Sequence, residues 1–157
     1  MSSINEILAG HRFFRSVDPA FLRMLKECAA MVDFKTGEII FRQGLAAKRF
    51  YVIDRGCVAL EVHTPGMGTV VIETLGPGEI FGSSWLFPPY RYEWDARAVQ
   101  DARAVAFNAE CLRDICEADH DLGYDLMKRF AGIMRNRLQM ARLQCLDIYR
   151  KSDGPKL

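Results

Sequence analysis

The stretch Phe50-Tyr51-Val52-Ile53-Asp54-Arg55-Gly56-Cys57-Val58-Ala59-Leu60-Glu61-Val62 decides the fold. Two short runs rich in β-branched and aromatic residues flank one glycine, the pattern of two strands joined by a tight turn. The same rhythm extends outward through Ile39 to Phe41, Val70 to Leu75 and Ala102 to Phe107. Glycines at 37, 44, 56, 66, 68, 76, 78 and 82 fall where tight turns are needed between such strands, because a residue without a Cβ adopts a positive φ at little cost. From Val32 to Phe107 the chain reads as an all-β roll or barrel.

On either side the periodicity changes. Ile4, Leu8, Phe13 and Phe14, then Phe21, Leu22, Leu25, Cys28 and Ala29, lie at helical spacing, with Asp18-Pro19 reading as an N-cap followed by proline at the first helical position. Asn108 caps a short helix from Ala109 to Glu117, and a second helix starts near Asp119 or Asp121. Its stripe of Met127, Phe130, Met134, Leu138, Ala141, Cys145 and Ile148 approximates a heptad seam. A helix of roughly 28 residues would be about 42 Å long, more than so small a core needs, so the seam predicts a homodimer through residues 120 to 149. The fold expected is mainly β with flanking α: a double-stranded β-helix, or jelly roll, of about eight strands. Residues 1–150 form one domain, with N-terminal helices at 4–31, the roll at 32–107 and C-terminal helices at 109–150; residues 151–157 are expected as a disordered tail.

With 157 residues, half of them apolar, the chain suits a single packed core. A formal net charge of +1 provides no field to draw it onto nucleic acid or an anionic bilayer. No apolar stretch approaches the roughly 20 residues of a membrane span, and the N-terminus lacks the sections of a signal peptide. The expected location is cytoplasmic. Cys28, Cys57, Cys111, Cys116 and Cys145 are odd in number, contain no CxxC pair and sit among apolar neighbours, which predicts reduced, buried thiols.

Three blocks carry a resemblance: Val32-x-Phe34-Lys35-x-Gly37-Glu38-x-Ile40-Phe41-x-x-Gly44, then Phe50-Tyr51-Val52-Ile53-x-x-Gly56-x-Val58, then Leu75-x-x-Gly78-Glu79-x-Phe81-Gly82. In order and spacing they resemble the cyclic-nucleotide-binding domains of catabolite activator proteins, protein kinase A regulatory subunits and cyclic-nucleotide-gated channels. The resemblance spans Ile4 to Tyr149. It implies a phosphate-binding cassette after Phe81-Gly82, in which a short helix presents backbone N–H groups to a cyclic phosphate, a glutamate binds the ribose 2′-hydroxyl and an arginine pairs with the phosphate.

Here that cassette reads Phe81-Gly82-Ser83-Ser84-Trp85-Leu86-Phe87-Pro88-Pro89-Tyr90-Arg91-Tyr92-Glu93-Trp94-Asp95-Ala96-Arg97-Ala98. Ser83 stands at the glutamate position and Tyr92 or Glu93 at the arginine position, so a cyclic nucleotide such as cAMP loses both signature contacts. Glu93 would repel a phosphate. Arg91 is the nearest substitute. Ala141 and Arg142 stand where the activators place hydroxyl residues against adenine.

What replaces those contacts is aromatic: Trp85, Phe87, Tyr90, Tyr92 and Trp94. Two readings stand side by side. In one, the aromatics line an altered pocket for a flat or apolar ligand whose polar end Ser83, Ser84 and Arg91 fix, so that the roll takes a nucleotide-like or other small anionic effector, with Phe81, Gly82, Ser83, Ser84, Trp85, Arg91, Tyr92 and Trp94 as the binding residues. In the other, they fill the cavity and leave a ligand-free interaction module that regulates a partner protein.

Neither reading makes the chain an enzyme. His11, His63 and His120 are widely separated and form no metal-ligand pattern, and Ser83-Ser84 has no nearby histidine to activate a nucleophile. No cofactor or metal is expected. The sequence stops a few residues past the long helix, before any helix-turn-helix, so direct DNA binding is not expected.

Overall fold

The computed structural model describes residues 3–152. Helix α1, Ile4–Gly10, opens with a capping box in which Ser3 Oγ accepts the Glu6 N–H and the Glu6 carboxylate accepts the Ser3 N–H. A 3-10 turn at Arg12–Phe14 follows, then α2, Pro19–Glu27, which is capped by Asp18 Oδ1 on the Ala20 N–H at 2.8 Å.

Eight strands come next: β1 Ala29–Phe34, β2 Ile39–Phe41, β3 Arg49–Arg55, β4 Val58–Thr64, β5 Gly68–Leu75, β6 Ile80–Phe81, β7 Asp95–Ala98 and β8 Ala102–Asn108. They form two antiparallel four-stranded sheets, in the orders β1-β8-β3-β6 and β2-β7-β4-β5. Consecutive strands alternate between the sheets along much of the chain, as in a jelly roll. The turn between β3 and β4 depends on Gly56, whose φ is +86° and where a Cβ would collide with the Asp101 carbonyl and with Ala102.

The roll begins earlier than the helical spacing of Cys28 and Ala29 suggests. Ala29 to Met31 belong to β1, because Ala29 pairs with Phe107, Ala30 with Ala106 and Met31 with Val105. A ladder to a strand more than 70 positions away overrides local periodicity. The short strand β7 also escapes the sequence pattern, being defined by its pairing with β2 and β4.

Two apolar clusters divide the interior. One lies inside the roll and includes Phe41, Tyr51, Ile53, Leu60, Leu75, Phe81 and Tyr92. The other lies between the sheet β1-β8-β3-β6 and the helices, where Leu8, Phe13, Phe14, Leu25, Phe50, Trp85 and Phe107 meet Leu112, Leu122, Leu126 and Phe130. Helix α3 spans Ala109–Ala118 and α4 spans His120–Ser152. Lys151 and Ser152 continue the helix instead of starting a tail, while 153–157 lie outside the described residues.

The cysteines depart from expectation. Cys28 and Cys111 form a disulfide across 83 residues of sequence. Sheet pairing brings them together: Cys28 immediately precedes β1, Cys111 lies in the first turn after β8, and the Asn108 N–H donates to the Cys28 carbonyl at 2.9 Å. Cys57 and Cys116 are free and half-buried, and Cys145 is free and exposed. Burial, followed by the charges of Glu117 and Asp119, pushes the Cys116 thiol up from its ordinary pKa, which disfavours the nucleophilic thiolate. No helix among the described residues is long and apolar enough to cross a membrane.

Candidate functional site

The segment after β6 turns on Gly82. Its φ of +81° directs the chain into a 3-10 turn at Ser83–Leu86, and a Cβ there would sit 3.1 Å from the Arg49 carbonyl. The five aromatics that follow do not act together. Trp85 is fully buried on the helix side, between Phe50 (centroids 6.1 Å apart) and Phe130 (5.6 Å), outside the roll interior. Its backbone carbonyl accepts from Arg113 at 2.9 Å, whereas its indole N–H has no partner among the described residues. Phe87 is exposed, and Tyr90 lies under the Arg113 guanidinium at 4.5 Å. Trp94 is partly exposed at the mouth of a small cavity.

Tyr92 alone enters the roll. Its ring stacks on Phe41 with centroids 3.6 Å apart and an interplanar angle of 6°. Phe41 in turn meets Tyr51 and Phe81, and those two rings stack at 4.6 Å. The Tyr92 hydroxyl donates to the Arg49 carbonyl at 2.8 Å and accepts the Arg49 N–H at 3.2 Å. Burial pushes its pKa up to about 12, which keeps it a neutral donor. Stacking and hydrogen bonding therefore lock Tyr92, one of the two residues the resemblance aligns with an arginine, inside the roll.

Arg91 is exposed, and its Nη1 donates to the Gly44 carbonyl at 2.7 Å, stitching the cassette to the turn after β2. Glu93 and Trp94 instead line the cavity that remains, about 190 Å3, together with Ser83, Ser84, Phe81, Tyr92 and Glu73. Small-molecule sites usually measure about 300–1,000 Å3, so this space is below the ordinary range. Gly82, Ser83 and Ser84 are half-buried at its wall.

Two residues of α4 close this cavity from the helix side: Met134, which the sequence placed only in the seam, and Arg137, which the sequence reading missed. Arg137 Nη2 donates to the Ile80 carbonyl, and its Nε lies 3.9 Å from a Glu73 carboxylate oxygen. The signal was present: an arginine one position before Leu138 in the apolar stripe sits on the flank of the helix that meets the roll.

The dimer stripe needs one correction. Phe130 is buried in its own subunit, against Phe13, Phe50 and Trp85, with ring centroids 5.0–5.6 Å away. It belongs with Leu122 and Leu126, which are also buried, and its position at the border between two helix faces explains why spacing alone put it in the seam. Met127, Met134, Leu138, Ala141 and Cys145 are exposed, as is every residue from Leu138 to Ser152. Among the described residues no cluster of three or more His, Cys, Asp or Glu could hold a metal.

The profile of the cyclic nucleotide-binding domain family matches residues 31–119, more than half of the chain. A CRP-like cAMP-activated global transcriptional regulator of Mycobacterium tuberculosis is 26% identical over 132 residues, which cover 84% of this chain but only 59% of that protein. Among solved structures, a Geobacter metallireducens protein assigned to the cyclic nucleotide-binding class is 30% identical, with a TM-score of 0.78, covering 88% of this chain and 99% of its own. The Thermus thermophilus catabolite activator protein is 24% identical with a TM-score of 0.68, covering 87% of this chain and 62% of its own, a likeness that concerns the fold alone. The chain belongs to the cyclic nucleotide-binding domain family.

Proposed function

We propose that this domain is a non-catalytic regulatory module whose roll is closed to cyclic nucleotides by its own aromatic side chains, and whose output surface is α4. The observation that carries this reading is Tyr92, stacked at 3.6 Å on Phe41 and hydrogen-bonded through its hydroxyl to both backbone groups of Arg49. A cyclic phosphate entering the cassette would have to expel a side chain whose polar atom is already satisfied and whose ring fills the interior. Nothing recovers that cost, since Ser83 supplies no carboxylate for a ribose hydroxyl and Glu93 adds negative charge at the mouth. The domain then acts as a homodimer through Met127, Met134, Leu138, Ala141 and Cys145, and regulates a partner protein.

The other reading gives the roll a different small effector. The remaining cavity of about 190 Å3 supports it, bounded by Ser83, Ser84 and Trp94 and closed by Arg137. Such a ligand would be much smaller than a cyclic nucleotide. Because Arg137 ties α4 to the Ile80 carbonyl, a ligand that displaced it would shift α4 against the roll.

Isothermal titration with cyclic AMP and cyclic GMP tests the leading reading. The expected result is no heat at about 1 mM ligand. The double variant Ser83→Glu, Tyr92→Arg, which reopens the cassette and restores both signature residues, is the companion; binding gained there and absent from the parent supports closure. Micromolar binding by the parent overturns it.

A further inference from the structure

A second concavity lies outside the roll, between the 3-10 turn after α1, the turn from β5 to β6, and α4. It measures about 520 Å3, within the range of small-molecule sites and more than twice the space left in the roll. Its apolar surface comes from Phe13, Ile133 and Met140, and its lining carries four arginines against two glutamates.

The charges are unevenly matched. Arg129 is paired with Asp125 at 3.1 Å, and Arg137 approaches Glu73 at 3.9 Å. Arg12 donates its Nε to the neutral Gly78 carbonyl at 3.0 Å and forms no ion pair among the described residues. Arg135 is exposed and has no carboxylate partner among the described residues. Glu79 lends part of its charge to the Gly76 N–H at 2.7 Å. The cleft therefore combines an apolar floor with surplus positive charge on two walls, one built by the N-terminal segment and one by α4.

A second observation points the same way. Gly132 lines this cleft in the middle of α4, where glycine disfavours a helix, and a Cβ there would meet nothing within 4 Å. Gly123, on the same helix, has a packing reason, since its Cβ would lie 3.1 Å from the Cys116 carbonyl. At Gly132 no contact among the described residues requires the missing side chain; a molecule seated in the cleft and approaching the helix backbone would. At 3.6 residues per turn, Arg129, Ile133, Asn136 and Met140 lie roughly 150° around α4 from the stripe of Met127, Met134 and Leu138, with Arg135 roughly 80° from it, so the floor of the cleft faces away from that stripe while Arg135 stands between the two.

We propose that this cleft binds a small organic oxyanion, a phosphate or carboxylate joined to an apolar or aromatic body, with Arg12 and Arg135 holding the anionic group and Phe13, Ile133 and Met140 receiving the body. The site does not depend on whether the roll is open or closed. Guanidinium groups suit it because their fork matches either oxyanion in two-point geometry.

The test titrates the 157-residue chain with 5′-AMP and with naphthalene-2-carboxylate, using inorganic phosphate as the body-free control, and follows melting temperature and heat. The expected result is binding of at least one organic probe below about 1 mM, tighter than inorganic phosphate. Arg135→Glu, at an exposed position, should weaken it at least about tenfold. Gly132→Leu should abolish it while raising the melting temperature of the unliganded protein, which separates a filled cleft from a misfolded domain. If neither organic probe binds at about 1 mM, or if binding is unchanged in both variants, the proposal is overturned.

Discussion

The two halves of α4 carry similar apolar spacing and meet opposite fates. From Leu122 to Phe130 the helix buries its apolar side against Phe13, Phe50 and Trp85; from Leu138 onward every described residue is exposed, including Met140, Leu143, Leu146, Ile148 and Tyr149. The first half is covered because α3 and the β1-β8-β3-β6 sheet lie beside it. In the second half no described residue buries the helix, which stays exposed from Leu138 to Ser152. The comparison therefore separates residues that hold the subunit together from residues whose apolar side chains stay in water.

Breaking the buried half should have the largest effect. Phe130→Ala removes a ring in contact with three other aromatics and should cost about 3–5 kcal/mol in a denaturant melt. A loss below about 1 kcal/mol would mean that the first half of α4 is not the clamp described here. Next comes the roll interior. Tyr92→Phe keeps the stack on Phe41 but leaves the Arg49 N–H and carbonyl without their partner, for an expected loss of about 1–2 kcal/mol by the same melt.

A smaller effect is expected from His11, half-buried with Nε2 3.2 Å from the Ile53 carbonyl and Nδ1 3.2 Å from the Phe13 N–H. The neutral ring satisfies both by donating from Nε2 and accepting at Nδ1, a tautomer assigned from these partners. Burial lowers its pKa below 6.5, outweighing the Ile53 bond, which raises it. The folded state therefore resists the proton that the unfolded state accepts. Its contribution is complete above pH 6.5 and is lost as pH falls from there through the folded pKa. Melting temperature against pH should decline over that window, and His11→Asn should flatten the decline. A parent curve that stays level from pH 7 to 5 would remove this account.

The exposed half should respond least in the subunit and most in assembly. Leu138→Lys touches nothing buried, so monomer stability should change by less than about 0.5 kcal/mol. Light scattering should nevertheless show a dimer becoming a monomer. If the parent is already a concentration-independent monomer, the seam has another occupant.

These contrasts also show what could be read in advance. The turn glycines and the β-branched runs made the roll visible, since strand pattern and turn chemistry are local. Asp18 could be read as a cap for the same reason. The residue types at Ser83 and at Tyr92 or Glu93, on which the proposed closure rests, could be read there as well. Nothing local indicated which way each aromatic would point. Trp85 and Tyr92, seven positions apart, are buried on opposite sides of one sheet, while Phe87 between them is exposed.

By itself the sequence determined the class of fold, with helices before and after a β-roll, and which residue types stand in the segment after Phe81-Gly82. Those properties depend on residue type and short-range spacing. Only the tertiary structure decided that Tyr92 fills the roll, that Phe130 serves its own subunit, that Cys28 meets Cys111, and that Arg12 and Arg135 share a cleft. Each of these depends on distances between elements far apart in the chain, set by strand register and helix packing.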